Sequence, residues 1–128
     1  MSMKEFCNTI RLFLLQDVQS FRENTMTMKP GQSSTILQVD DFTVTPKSET
    51  SEAGLLYNIE EDITIDKVDS SIASTYKIQR SSILQLKTYP GYEPVFIGSM
   101  EWPALVSITT HLNKDTLHIK SKMIQSPL

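Results

Sequence analysis

The chain has 128 residues, a net charge of −3, a single cysteine and 39% hydrophobic residues. This length predicts one domain, residues 1–128, that buries a core without metals or disulfides. One cysteine excludes an intrachain disulfide, and the acidic balance argues against a nucleic-acid-binding domain. No stretch reaches the roughly 18 apolar residues of a membrane span, and no secretory signal pattern occurs, so we expect a cytoplasmic or virion protein without membrane contact.

The first predicted element is an amphipathic helix within residues 1–24. Apolar residues recur at steps of three and four from Met3 to about Phe21, which places them on one face of a helix. Ser2 and Glu5 have the spacing of a capping box at its start. The pattern therefore predicts a helix whose apolar stripe faces a core.

A run of four consecutive apolar residues, Leu12 to Leu15, exceeds what one helix face can bury. Something else must cover the second face. We consider two covers, a long loop of the same chain and a neighbouring subunit, and both remain open. The second makes Leu12 and Leu15 candidate interface residues.

Residues 34–124 are predicted to form about eight short strands separated by turns. Residues 63–68 alternate apolar and polar side chains, as expected of a strand with one wet face. Residues 47–54 are polar and are expected to form a loop that is mobile or is ordered only by a partner. The clearest hairpin joins residues 104–112 to residues 116–123 through a loop at Asn113–Asp115. In its second arm, Leu117, Ile119 and Met123 are expected to face one way, and His118, Lys120 and Lys122 the other.

These elements predict an α+β chain that is mostly β. The N-terminal helix would pack on an antiparallel β-sandwich or a partly open barrel. Helices do not alternate with the strands, which argues against a doubly wound parallel sheet and its nucleotide site. The layout is similar to small structural proteins of tailed-bacteriophage virions, in which a short helix and a β-sandwich or barrel assemble into rings. That resemblance covers the architecture alone and implies no site residue.

The charges are unevenly distributed. Residues 40–69 contain nine acids and two lysines, whereas residues 70–128 contain six bases and three acids. This separation would suit head-to-tail contact between copies of the chain. The alternative interpretation is that the acids solvate loops and outer strand faces.

No catalytic, cofactor or metal site is predicted. His111 and His118 flank the predicted hairpin turn and are expected to project from opposite faces of the sheet, which argues against shared metal binding or a nucleophilic triad. The acidic run from Glu60 to Asp69 lacks the glycine and closing glutamate of an EF-hand. We therefore expect a protein that is not an enzyme. An enzyme with a dispersed carboxylate site is a third hypothesis, ranked below an assembly role and a ligand-binding role.

The most suggestive cluster combines aromatic side chains with rigid turns and consists of Tyr89, Tyr92, Phe96 and Trp102. Such rings often form recognition surfaces, although core packing is the competing interpretation. The leading prediction is a non-enzymatic structural or assembly protein whose partners are copies of itself or neighbouring subunits, for example in a phage tail or connector. The alternative is a β-sandwich module that binds a sugar or peptide through the Tyr89–Trp102 surface.

Overall fold

The computed structural model describes residues 4–22, 25–44, 47–51, 54–86 and 95–123. Within these ranges the chain forms ten strands, one short α-helix (α1, Ser70–Thr75) and one 3-10 turn (Leu15–Asp17). The strands are β1 (Lys4–Leu14), β2 (Val18–Arg22), β3 (Thr25–Met28), β4 (Thr35–Val44), β5 (Lys47–Ser51), β6 (Gly54–Asp66), β7 (Arg80–Leu86), β8 (Val95–Ile97), β9 (Ala104–Thr110) and β10 (Lys114–Met123).

Six strands of the larger sheet close into a ring. Their order is β1-β4-β6-β10-β9-β7, and β7 pairs again with β1. Every pairing in the ring is antiparallel, and the seam between β4 and β6 is the shortest, with the single residue pair Val39 and Ile65. β5 adds to β6 and β8 adds to β7. The predicted antiparallel, mostly β character of the chain is confirmed.

The ring encloses the main core. Alternate residues of each strand point inward, and the chain segment after α1 contributes Tyr76, which is 1% exposed. Burial raises the pKa of the Tyr76 phenol to about 12, because the phenolate would lose its hydration. The largest inward-facing aliphatic side chains are Ile10, Leu12, Leu37, Ile59, Ile65, Leu84, Leu86, Ile97 and Leu117.

The structure contradicts the predicted N-terminal helix, because residues 4–14 form β1. Leu12 pairs with Leu84 and points into the ring, whereas Phe13 pairs with Ile83 and points out of it. A strand that is buried on both faces needs consecutive apolar residues, which one face of a helix could not bury. The protein itself therefore covers the apolar side chains on the second face of this segment.

That cover is the hairpin of β2 and β3, which forms a separate two-stranded sheet. The hairpin packs on the outer face of β1 and β7 around a second cluster built on Phe13, Val18 and Ile83. An isolated two-stranded hairpin is only marginally stable in water, so this packing is what holds it in place. The partly buried members of the cluster are Leu15, Phe21, Met26, Met28 and Phe96.

Two further sequence-based predictions need correction. Residues 47–51 form β5, paired with β6, instead of the start of a mobile loop. In the last hairpin, Asp115 pairs with Thr110, so residues 111–114 connect the paired positions instead of Asn113–Asp115, and His118 faces Ser107. The inward and outward alternation predicted for residues 63–66 and 117–122 is confirmed.

One buried carboxylate ties three segments together at the β9–β10 turn. Asp115 is fully buried and accepts hydrogen bonds from Lys67 Nζ at 2.8 Å, from the Val68 amide at 3.0 Å and from the His111 amide at 3.2 Å. Burial alone would raise the pKa of the Asp115 carboxyl, but these donors outweigh it and hold the pKa below its ordinary value. Asp115 therefore remains ionised inside the fold.

Among the described residues the α-helix is α1, and its six residues are far too few to span a membrane.

Candidate functional site

The candidate site is an open groove of about 610 Å³ between β2 and the loop at residues 98–103, and we call it the Trp102 groove. The loop connects β8 to β9, and these two strands pair with successive parts of the same side of β7. The loop therefore protrudes from the sheet between two strands that follow each other along β7. The lining residues are Gln19, Ser20, Phe21, Arg22, Ser99, Met100, Glu101, Trp102 and Met123.

The loop has a defined geometry. Gly98 has a φ of +94°, and a Cβ atom there would lie 2.9 Å from the Ala104 amide nitrogen and 3.1 Å from the Ser82 carbonyl oxygen. The Ser99 amide donates to the Trp102 carbonyl, and the Trp102 amide donates to Ser99 Oγ, both at 3.0 Å. This closed turn holds the Trp102 side chain at the groove, where it is 40% exposed.

The opposite wall of the groove is the edge of β2. Its four consecutive residues 19–22 all line the groove. Successive side chains of a strand point to opposite faces, so four residues in a row can line one groove only where the strand presents its edge. β2 pairs with β3 on its other side, and in the described part of the chain no strand pairs with the groove-facing edge. That edge offers backbone donors and acceptors to a ligand.

Phe96 anchors the hairpin that forms this wall. Its ring packs against the ring of Phe21 with centroids 4.8 Å apart and planes inclined by 47°. Tilted aromatic pairs of this kind are favourable beyond the apolar area they bury. Phe96 thus supports the groove from beneath and is absent from its lining.

The two walls carry opposite charges. Arg22 lies on the β2 wall and Glu101 lies on the loop wall, and both are exposed. Among the described residues neither side chain forms an ion pair. Each is therefore free to meet a charge on a bound molecule.

No family model, curated protein or solved structure matches this chain. The chemistry of the groove therefore indicates which kind of molecule it could accept. The walls offer an indole and a thioether, unpaired backbone groups and one charge of each sign. An extended polypeptide segment can match the apolar, backbone and charged groups together. Its backbone can pair with β2 while its side chains contact the apolar and charged side chains of the walls.

The structure separates the residues that the sequence singled out. Trp102 lines the groove and Phe96 lies beneath it. Leu12 is 1% exposed within the ring, and Leu15 is partly buried in the hairpin cluster. Tyr89 and Tyr92 lie outside the described residues.

Sequence reasoning missed the groove residues Met100, Glu101 and Arg22. Met100 and Glu101 stand beside Trp102 in the same loop, so the aromatic cluster could have pointed to them. Arg22 offered no such signal, because residues up to 24 were assigned to a helix that does not form.

A second cluster of polar side chains lies on the outer face of β6 and β10. Cross-strand neighbours there carry opposite charges, and their register places acid against base along the pair. Three of the nine acids in residues 40–69 thus contact basic side chains that follow residue 70 in the same protomer. The ion pairs are Asp66 with Lys114 and Glu60 with Lys120, and between them Asp62 contacts His118.

His118 joins three neighbouring strands. Its Nδ1 lies 2.6 Å from Asp62 Oδ1, and its Nε2 lies 2.8 Å from Thr109 Oγ1. The order of acid, imidazole and hydroxyl is that of a nucleophilic triad. However, the cleft of about 340 Å³ that His118 and Asp62 line does not include Thr109, the group that would attack a substrate. We therefore interpret this chain of hydrogen bonds as a cross-strand brace.

In the ranges that the structure covers, no group of three or more His, Cys, Asp or Glu side chains could hold a metal ion.

Proposed function

We propose that this protein is a non-enzymatic structural or assembly protein that acts through protein–protein contacts, and that it docks a polypeptide segment in the Trp102 groove. The observation that carries the proposal is the placement of an exposed tryptophan opposite an unpaired strand edge. Tryptophan is enriched among residues that dominate interface energies. Strand addition at a free edge is a recurrent mode of peptide recognition.

The groove supports assembly more strongly than the two sequence features that first suggested it, which are the apolar run containing Leu12 and the uneven charge distribution. Leu12 is covered within its own protomer, and Glu60 and Asp66, two of the nine acids of residues 40–69, pair with lysines of β10. Neither feature now requires a neighbouring subunit. The exposed apolar side chains of Met100 and Trp102, which are 39% and 40% exposed, take their place in the argument.

The proposal includes membership of a homo-oligomer or of a larger particle. A tailed-phage virion is the particle that the architectural resemblance favours, and genes for virion components beside the gene of this chain would support it. A sugar-binding role would use the Trp102 ring but would leave the edge of β2 without a partner. For this reason we favour a polypeptide ligand.

Selection from a random peptide library tests this proposal. We expect the intact protein to select peptides that bind as extended strands, and Trp102→Ala to weaken their binding by at least about tenfold, since hot-spot truncations typically cost 2 kcal/mol or more. Fluorescence anisotropy with the selected peptides measures the change.

Leu112→Ala is the matched control. Leu112 is the most exposed large apolar residue of the described chain, at 91%, and lies in the β9–β10 turn outside the groove. Its replacement should leave peptide affinity unchanged. Selection of no peptide, or equal binding by the wild type and Trp102→Ala, would refute the proposed function.

A further inference from the structure

We infer that the segment docked in the Trp102 groove is β2 of a second copy of this chain, paired edge to edge about a two-fold axis. This inference rests on the proposed function and names the partner. In such a dimer each protomer supplies both a groove and the strand that fills the groove of the other.

The free edge of β2 supports this arrangement. Identical strands that pair antiparallel are related by a two-fold axis, which is the commonest symmetry of protein dimers. The pairing would join two β2–β3 hairpins into one four-stranded sheet. Each hairpin is only two strands wide on its own, below the width at which a sheet becomes independently stable. Dimerisation would therefore widen the two-stranded sheet of the single protomer to four strands.

The charges of the groove support the choice of a second copy over an unrelated peptide. A two-fold interface brings a surface against itself, so each positive group must find a negative group on the same surface. The Trp102 groove carries Arg22 on one wall and Glu101 on the other, and neither has an ion-pair partner among the described residues. In a dimer, Arg22 of each copy can face Glu101 of the other, so that the interface contains two ion pairs.

The contact surface is short, since one wall consists of only four residues of β2. We therefore expect a dimer that dissociates on dilution. The net charge of −3 per copy adds little repulsion to this association.

Charge exchange with sedimentation velocity tests the inference. Arg22→Glu alone sets two acids against each other at both contacts, and Glu101→Arg alone sets two bases against each other. Each single variant should dimerise at least about tenfold more weakly than the wild type, because like charges across an interface are costly. An equimolar mixture of the two variants should form a heterodimer, and the double variant should form a homodimer.

Lys29→Glu is the matched control, because Lys29 is an exposed cation that follows the same hairpin and does not line the groove. It should dimerise as the wild type does. If a charge-reversed variant loses its folded circular dichroism spectrum, Arg22→Gln and Glu101→Gln provide the single variants instead, and each should still weaken the dimer.

The outcomes distinguish the inference from the proposed function. A wild type that is monomeric at every concentration, yet still binds selected peptides, overturns the second-copy inference and leaves the proposed function standing. Loss of both properties refutes both. Variants that stay monomeric when mixed, or a wild type that forms an assembly larger than a dimer, overturn the two-fold pairing.

Discussion

Gly98→Ala is expected to lower the free energy of unfolding by about 3 kcal/mol, the sum of backbone strain and steric overlap. The backbone at Gly98 has a φ of +94°, which side chains with a Cβ atom rarely adopt. The added Cβ would also approach the Ala104 nitrogen to 2.9 Å and the Ser82 oxygen to 3.1 Å. Both atoms belong to the backbone of paired strands, so they cannot move aside without breaking the sheet.

Gly31→Ala separates the two contributions. Gly31 has a φ of +80°, but a Cβ atom there would meet nothing within 4 Å. This variant should therefore lose only the strain, about 1 kcal/mol. Urea unfolding of both variants measures the difference, and equal losses would show that the close approach at Gly98 does not exist.

Asp115→Asn is expected to cost about 3 kcal/mol at neutral pH, because hydrogen bonds to a buried charge are strong and their loss leaves donors unpaired. All three partners of Asp115 are donors, namely Lys67 Nζ and the amides of Val68 and His111. An asparagine must point its own NH2 group at one of them. Urea unfolding at neutral pH measures the loss.

The same variant should change how stability depends on pH. The folded-state pKa of Asp115 lies below its ordinary value of 3.8, so its contribution is complete above that value and disappears as the pH falls through the lower folded-state pKa. The wild type should therefore lose stability in acid more steeply than Asp115→Asn.

Asp66→Asn is the control, since Asp66 is also paired with a lysine but its side chain is 56% exposed. We expect it to cost less than about 1 kcal/mol. If the free energy of unfolding fell equally steeply in acid for the wild type and Asp115→Asn, this would contradict the role given to the buried carboxylate.

Strands that bury one face and expose the other to solvent were predicted correctly from the sequence. Residues 63–66 of β6 and 117–122 of β10 alternate between the core and solvent, so their period of two is visible in the sequence. The pairing of acids on β6 with bases on β10 was not visible, because it depends on the register between strands far apart in the chain.

β1 was mistaken for a helix because both of its faces are buried. Its inward side chains enter the ring and Phe13 lies beneath the β2–β3 hairpin, so the alternation of apolar and polar residues is lost. A short apolar run of this kind fits a helix and a buried strand equally well by periodicity. Tertiary packing that is nonlocal in sequence decided between them.

One of the nine residues that line the groove could be anticipated. Trp102 stood out as an aromatic residue beside rigid turns, and it lines the Trp102 groove. The facing wall comes from residues 19–22, about eighty positions earlier, within the segment assigned to the helix. A strand edge becomes recognisable only once its neighbours are known.

Hydrogen–deuterium exchange at increasing protein concentration tests most directly whether the β2 edge and the Trp102 loop form a contact surface between two copies of the chain. Amides of residues 18–22 should exchange more slowly at high concentration than at low, and Trp102→Ala should abolish this difference. β5, which pairs on one side only among the described residues, should exchange at the same rate throughout. Exchange of residues 18–22 that does not depend on concentration, or slowing confined to β5, would contradict this contact between two copies.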